Sequence, residues 1–187
     1  MIEYINKDTR TNTALHTSPG CDMINVPLSS FNGSWSKSGI SGGKISQTNC
    51  YGAVTGQDSN AGCSLIGPKS SVGLAFNNRT FSPGNVIVDS SKKSTKGGLY
   101  AFLWDKNKEF RTYYFPRNNI PLDLVKKQPK PDTWGLPYGR FLINTTDCSS
   151  SHFREHRIVI DTTLCGDWAG MYVRTARTVI PTSVCYM

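Results

Sequence analysis

Six cysteines, Cys21, Cys50, Cys63, Cys148, Cys165 and Cys185, are spread through 187 residues with no C-x-x-C pair among them. Structural zinc sites want closely spaced S and N ligands. An even set of widely spaced cysteines instead fits a disulfide framework made in an oxidising compartment. The sequence leaves the pairing open. Three Asn-x-Ser/Thr sequons agree with that route: Asn32-Gly33-Ser34, Asn78-Arg79-Thr80 and Asn144-Thr145-Thr146.

The chain between the cysteines has room for one core-bearing domain. Gly, Ser, Thr and Asn are abundant and no long helical periodicity occurs, which favours an all-β fold rich in turns. No apolar run approaches the roughly 18 residues of a membrane span. The N-terminus lacks the basic and apolar regions of a secretory leader. Together with the cysteines, that leads us to expect a true start upstream of Met1.

Residues 10–18 read as a strand ended by Pro19-Gly20. Residues 22–62 are punctuated by Ser, Gly and Asn and read as irregular. Val72 to Phe76 reads as a short buried strand, and residues 77–98 as an insertion loop holding the apolar stretch Val86-Ile87-Val88. The clearest signal is a hairpin: Leu99–Trp104 and Phe110–Phe115 are β-rich, with the polar turn Asp105–Glu109 between them. Pro116, Pro121, Pro129, Pro131 and Pro137 then forbid a helix of useful length. Arg157–Leu164 reads as a strand from its β-branched content. Strands joined by long connections suggest a sandwich or jelly roll, in which a concave sheet face can hold an extended polymer.

The formal charge is +8, yet the basic residues are dispersed. Lys92, Lys93 and Lys96 lie in a Ser/Gly-rich stretch, and Lys126, Lys127 and Lys130 in a Pro-rich one. Neither cluster sits in a nucleic-acid motif, so solvated loops are the better reading and no nucleic-acid partner is expected.

Among catalytic strings, His152-Phe-Arg-Glu155-His156 matches H-x-x-E-H. That motif needs a helix to put both imidazoles on one face, and here it runs into a β-branched stretch with no later Glu as third ligand. Asp105-Lys-Asn107-Lys-Glu109 begins like a calcium loop, but Phe110 stands where Gly must turn the chain. No metal or cofactor is expected. The chain has only three Glu. Glu109 reads as part of a solvated turn and Glu155 as solvated beside a strand start, which leaves Glu3.

From Met1 onward the chain resembles secreted fungal β-1,3- and mixed-linkage β-1,3/1,4-glucanases of glycoside hydrolase family 16. The matching pieces come in order. Met1-Ile2-Glu3 resembles the end of the signature E-I-D-x-x-E, and Leu15–Cys21 the strand and turn that follow. Gly97–Trp104 with Tyr114–Arg117 and Ile120-Pro121 resembles the family hairpin. Asp132–Gly135, Ser151–Phe153 and Ile160–Gly170 complete the series.

The resemblance implies a β-jelly-roll of the concanavalin-like kind with disulfide-tied loops. Residues 1–187 would form part of such a catalytic domain, incomplete at its N-terminus and at its C-terminus. It also implies secretion, a monomer, and β-glucan of the laminarin or lichenan kind as substrate. Glu3 becomes the acid/base of a retaining pair. The nucleophile and the assisting Asp would fall before residue 1, so little hydrolysis is expected from these 187 residues alone. His16 matches the family histidine beside the catalytic acids, and Trp168 is a candidate sugar-stacking platform. The signature sets its two Glu five apart, so a β-bulge must return them to one face. Two other readings stay open: a non-catalytic β-glucan-binding protein, and a decayed gene fragment.

Overall fold

The computed structural model describes residues 2–3, 11–38, 45–68, 79–82, 85–88, 98–144 and 146–160. Their regular structure is almost entirely antiparallel β. In chain order the strands are β1 (Ile2–Glu3), β2 (Asn12–Leu15), β3 (Ser34–Trp35), β4 (Lys37–Ser38), β5 (Ile45–Ser46) and β6 (Cys63–Ile66). They continue with β7 (Arg79–Ser82), β8 (Asn85–Val88), β9 (Gly98–Asp105), β10 (Glu109–Pro116) and β11 (Gly139–Leu142). The one described α-helical turn, α1 (Leu122–Val125), lies in the proline-rich excursion and is flanked by 3-10 turns. No helix among the described residues is long and apolar enough to cross a membrane.

Two sheets carry the core. One has the order β1-β2-β6-β3 and the other β11-β10-β9. In the first, Ile2, Thr13, Leu65 and Trp35 stand opposite one another, so these positions share a face. Leu65 and Thr13 are almost wholly buried there. The second sheet turns Phe110 and Phe141, directly opposite each other, toward the same core. Trp35 meets Phe141 edge to face at 5.9 Å, and the Thr13 and Tyr138 hydroxyls bond at 2.6 Å across the layers.

The backbone joins the sheets as well. Asn32 N donates to Pro137 O, Gly33 N to Tyr138 O, and Tyr138 N to Thr112 O. This approach requires glycine: a Cβ on Gly33 would run into the carbonyl oxygens of Tyr138 and Ile66.

Two disulfides are described. Cys21–Cys148 spans 127 residues and sits on an isolated antiparallel bridge, while Cys50–Cys63 closes a loop of separation 13. Cys165 and Cys185 lie outside the described residues, as does the expected strand Val72–Phe76.

The hairpin stands where its pattern predicts, with β9 and β10 paired in full register. The insertion-loop expectation for 77–98 is refined, because β7 and β8 pair there and Val86-Ile87-Val88 lies in β8. One expectation is corrected. Within Arg157–Leu164, the described residues 157–160 are not a strand, and Ile158, Val159 and Ile160 are 96%, 80% and 95% exposed. β-branched content favours a strand only where a neighbour takes up the side chains.

Candidate active site

Position 3 is fixed by its strand. Glu3 stands opposite Asn12, and the row continues through Ile66 to Ser34. This row lies on the opposite face from the buried row of Thr13, Leu65 and Trp35. Its described members are half-buried or exposed. Asn12 Oδ1 accepts a hydrogen bond from Ser64 Oγ at 2.5 Å.

His16 follows β2 directly, four residues beyond Asn12. At the rise of an extended strand that is about 13 Å. Parity puts position 16 on the face of Asn12, yet the interval is too long for His16 to meet a group beside Asn12. The ring rests on the loop closed by Cys50–Cys63. Gly62, at φ +60°, lies against Leu15 O and the His16 ring, and a Cβ there would come within 3.0 Å of His16 Nδ1. Only glycine takes that backbone beside the ring without strain. Buried Gln57 braces the loop into a shelf: Nε2 donates to Asn49 O (3.0 Å) and Gly62 O (3.1 Å), and Oε1 accepts from Asn49 N (3.2 Å).

Desolvation against this shelf lowers the His16 pKa, and the hydrogen bond with Asn60 opposes the shift without cancelling it. The N-terminal charge lowers it further, and both effects favour the uncharged ring. Sequence reading missed Asn60, Gly62 and Gln57. Their signal was Asn60-Ala-Gly62 running directly into Cys63, legible only once Cys63 is known to pair with Cys50.

The remaining candidates do not gather around this row. Trp168 lies outside the described residues. Glu155 is exposed at φ +57°, and His156 meets Trp104 edge to face at 5.5 Å. His152 ends a 3-10 turn, where its Nδ1 shares a 2.8 Å hydrogen bond with Ser18 Oγ. H-x-x-E-H is therefore not on a helix. Among the described residues no His, Cys, Asp and Glu cluster could hold a metal ion.

Glu109 requires a correction. It is not a solvated turn residue. It begins β10, is 7% exposed, and lies between Arg111 Nε at 3.1 Å and Arg140 Nε at 2.5 Å. Arg111 reaches on to Asp132 (3.2 Å) and Tyr113 OH (3.2 Å). Alternation along β10 and pairing with β11 bring these charges together, which makes Glu109 a structural counter-ion.

The family model described as "XgeA-like, catalytic GH16 domain" matches residues 1–187. An Arthroderma benhamiae protein named endo-1,3(4)-beta-glucanase is 31% identical over 92% of this chain and 32% of its own length. A probable glycosidase of Schizosaccharomyces pombe is 30% identical over 92% of this chain and 34% of its own. The chain thus spans about a third of the length of these relatives. The solved structure of an elongating GH family 16 beta-1,3-glucosyltransferase matches with TM-score 0.64 and 25% identity, covering 97% of this chain and 50% of that one. The all-β, disulfide-tied architecture is that of this jelly-roll family.

Proposed function

The chain belongs to glycoside hydrolase family 16, and from that premise we propose that it forms part of a retaining endo-β-glucanase acting on β-1,3- or mixed-linkage β-1,3/1,4-glucan. The observation that carries the proposal is the place of Glu3. It stands in a strand hydrogen-bonded to β2, in a row set apart from the core face, within a chain that matches the family along its whole length.

In this reading Glu3 protonates the departing glycosidic oxygen and later takes a proton from water. A retaining enzyme sets its nucleophilic carboxylate about 5–5.5 Å away. His16 stands too far along β2 to serve Glu3 directly. An antiparallel strand continuing the register of β1 would set the residue four before Glu3 opposite His16, near the place a nucleophile would take. His16, held by Asn60, would then orient that carboxylate by a hydrogen bond. Trp168 is the proposed stacking surface for a pyranose ring. The substrate is a β-glucan polysaccharide, and the protein works as a secreted monomer without a cofactor.

The test uses the longest natural polypeptide that carries these residues. Glu3→Gln should lower hydrolysis of laminarin and lichenan by about 10²–10⁴-fold, the usual contribution of a general acid/base. A glucan oligosaccharide with an aryl leaving group, which needs no protonation, should recover the first step. Wild-type rates in Glu3→Gln would sink the assignment. The 187 residues alone contain one carboxylate of the pair and should release no reducing sugar; saturable β-glucan binding without product would favour the binding-protein reading. The likeness to a glucosyltransferase supports a second reading, in which a sugar hydroxyl replaces water in the second step. Products longer than the starting oligosaccharide would identify it.

A further inference from the structure

We propose that Asn32 is an N-glycosylation site and that Asn144, which carries the same motif, stays bare. This rests on a secretory route and not on the hydrolytic reading, so either can fail without the other.

Folding treats the two sequons in opposite ways. At Asn32 the backbone is held inward: Asn32 N and Gly33 N donate to the carbonyls of Pro137 and Tyr138, where the two sheets join. Packing fixes the middle residue as glycine, since Tyr138 O and Ile66 O leave no space for a Cβ. The Asn32 side chain points the other way. The residue is exposed, none of the hydrogen bonds among the described residues uses its amide, and Ser34 beside it is exposed at the start of β3. A sugar on Asn32 Nδ2 therefore displaces no hydrogen bond of the described residues.

At Asn144 the amide is already in use. Its Oδ1 accepts from Thr146 N (2.8 Å) and Asp147 N (2.6 Å), and its Nδ2 donates to Asp147 Oδ2 (3.1 Å). Asn25 Nδ2 holds the other Asp147 oxygen at 3.0 Å, and Asp22 N donates to Asp147 O. Asn144 N donates to Cys148 O to close the turn, and the Cys21–Cys148 disulfide ties it to Cys21. These contacts of Asn144 span only a few residues, so the turn can form before the chain is complete and withdraw the amide from a transferase. The third sequon, at Asn78, lies outside the described residues.

The reaction consumes a lipid-pyrophosphate-linked oligosaccharide supplied by the secretory membrane. The Asn32 Nδ2–C1 bond forms, the C1–O bond to the pyrophosphate breaks, and the lipid pyrophosphate leaves. The displaced amide proton passes to a base of the transferase.

The experiment expresses the longest natural polypeptide that carries these residues behind a secretory leader in yeast and maps its peptides after endoglycosidase H. That enzyme leaves one N-acetylglucosamine on each occupied asparagine, a mark that spontaneous deamidation of Asn32-Gly33 cannot imitate. Both the secreted and the membrane-enclosed pools are read, because transfer takes place while the chain is still being completed and before export. The expected result is a marked Asn32 peptide and an unmarked Asn144 peptide. Ser34→Ala should reduce the Asn32 mark to background, and Asn144→Gln should leave the pattern unchanged. A bare Asn32 in both pools, or an Asn144 as fully marked as Asn32, overturns the proposal.

Discussion

The two faces of the β9–β10–β11 sheet reach order by different means. On one, Glu109, Arg111, Tyr113 and Phe115 lie beneath the excursion of residues 117–138. Trp134 packs edge to face on Tyr113 at 5.1 Å and on Phe115 at 5.7 Å, and Asp132 pairs with Arg111. On the other, aromatic rings do the packing and burial falls off across the sheet. Phe141 of β11 is 0% exposed and Phe110 of β10 is 3%, but Trp104 and Phe102 of β9 are 39% and 51%. Phe102 and Trp104 still stack on Phe110, at 5.5 and 5.6 Å. A charged face can be closed by a loop that brings its own counter-ion and hydrogen bonds. An aromatic face is closed only as far as a second apolar layer reaches.

Truncations along the aromatic face give the largest expected effect. Phe141→Ala removes a fully enclosed ring and should cost about 3–5 kcal/mol, read from urea unfolding. Phe102→Ala loses one stacked pair and little burial, so about 1 kcal/mol is expected. Equal losses would show that the burial gradient has no energetic counterpart. On the charged face, Glu109→Ala leaves Arg111 and Arg140 facing each other over a half-buried gap and should cost about 1–3 kcal/mol. Glu109→Gln keeps an acceptor and should recover part of that. If Glu109→Ala were as stable as wild type, the counter-ion role would be lost and the excursion would close the face by packing alone.

What could be read in the sequence followed what is local. The β9–β10 hairpin was legible because its strands are continuous and its turn is short. So was the barrier to helix in the excursion, since each proline acts on its own backbone. The failures needed topology. Glu109 looked solvated because its cations lie two residues along β10 and across in β11. Cys21 and Cys148 are brought together over 127 residues by the way the layers meet. Ile158–Ile160 carried the strand signal, but no strand among the described residues takes them up. At the candidate site, position 3 and His16 were legible through family resemblance, and the shelf of Gln57, Asn60 and Gly62 was not. Its use depends on Cys50–Cys63 folding that loop against β2.

The smallest expected effect isolates the clasp that closes the charged face. Asp123 Oδ2 accepts from Lys130 N at 2.6 Å and from Trp134 Nε1 at 2.7 Å. Desolvation raises the Asp123 pKa, but these hydrogen bonds, with those from Leu124 N and its own N–H, outweigh it and leave the carboxyl below its ordinary value. A depressed folded-state pKa means that the clasp contributes fully above the unfolded value of about 3.9 and is lost as pH falls through the lower folded value. The Trp134 indole N–H resonance should therefore hold its position from neutral pH down to the ordinary carboxylate range and move only below it. In Asp123→Asn the clasp has no proton to gain, so that step should vanish while the contacts of Trp134 with Tyr113 and Phe115 persist. A Trp134 resonance that moves at the ordinary carboxylate pKa, or moves equally in Asp123→Asn, would assign the closure of this face to ring packing and leave Asp123 as a bystander.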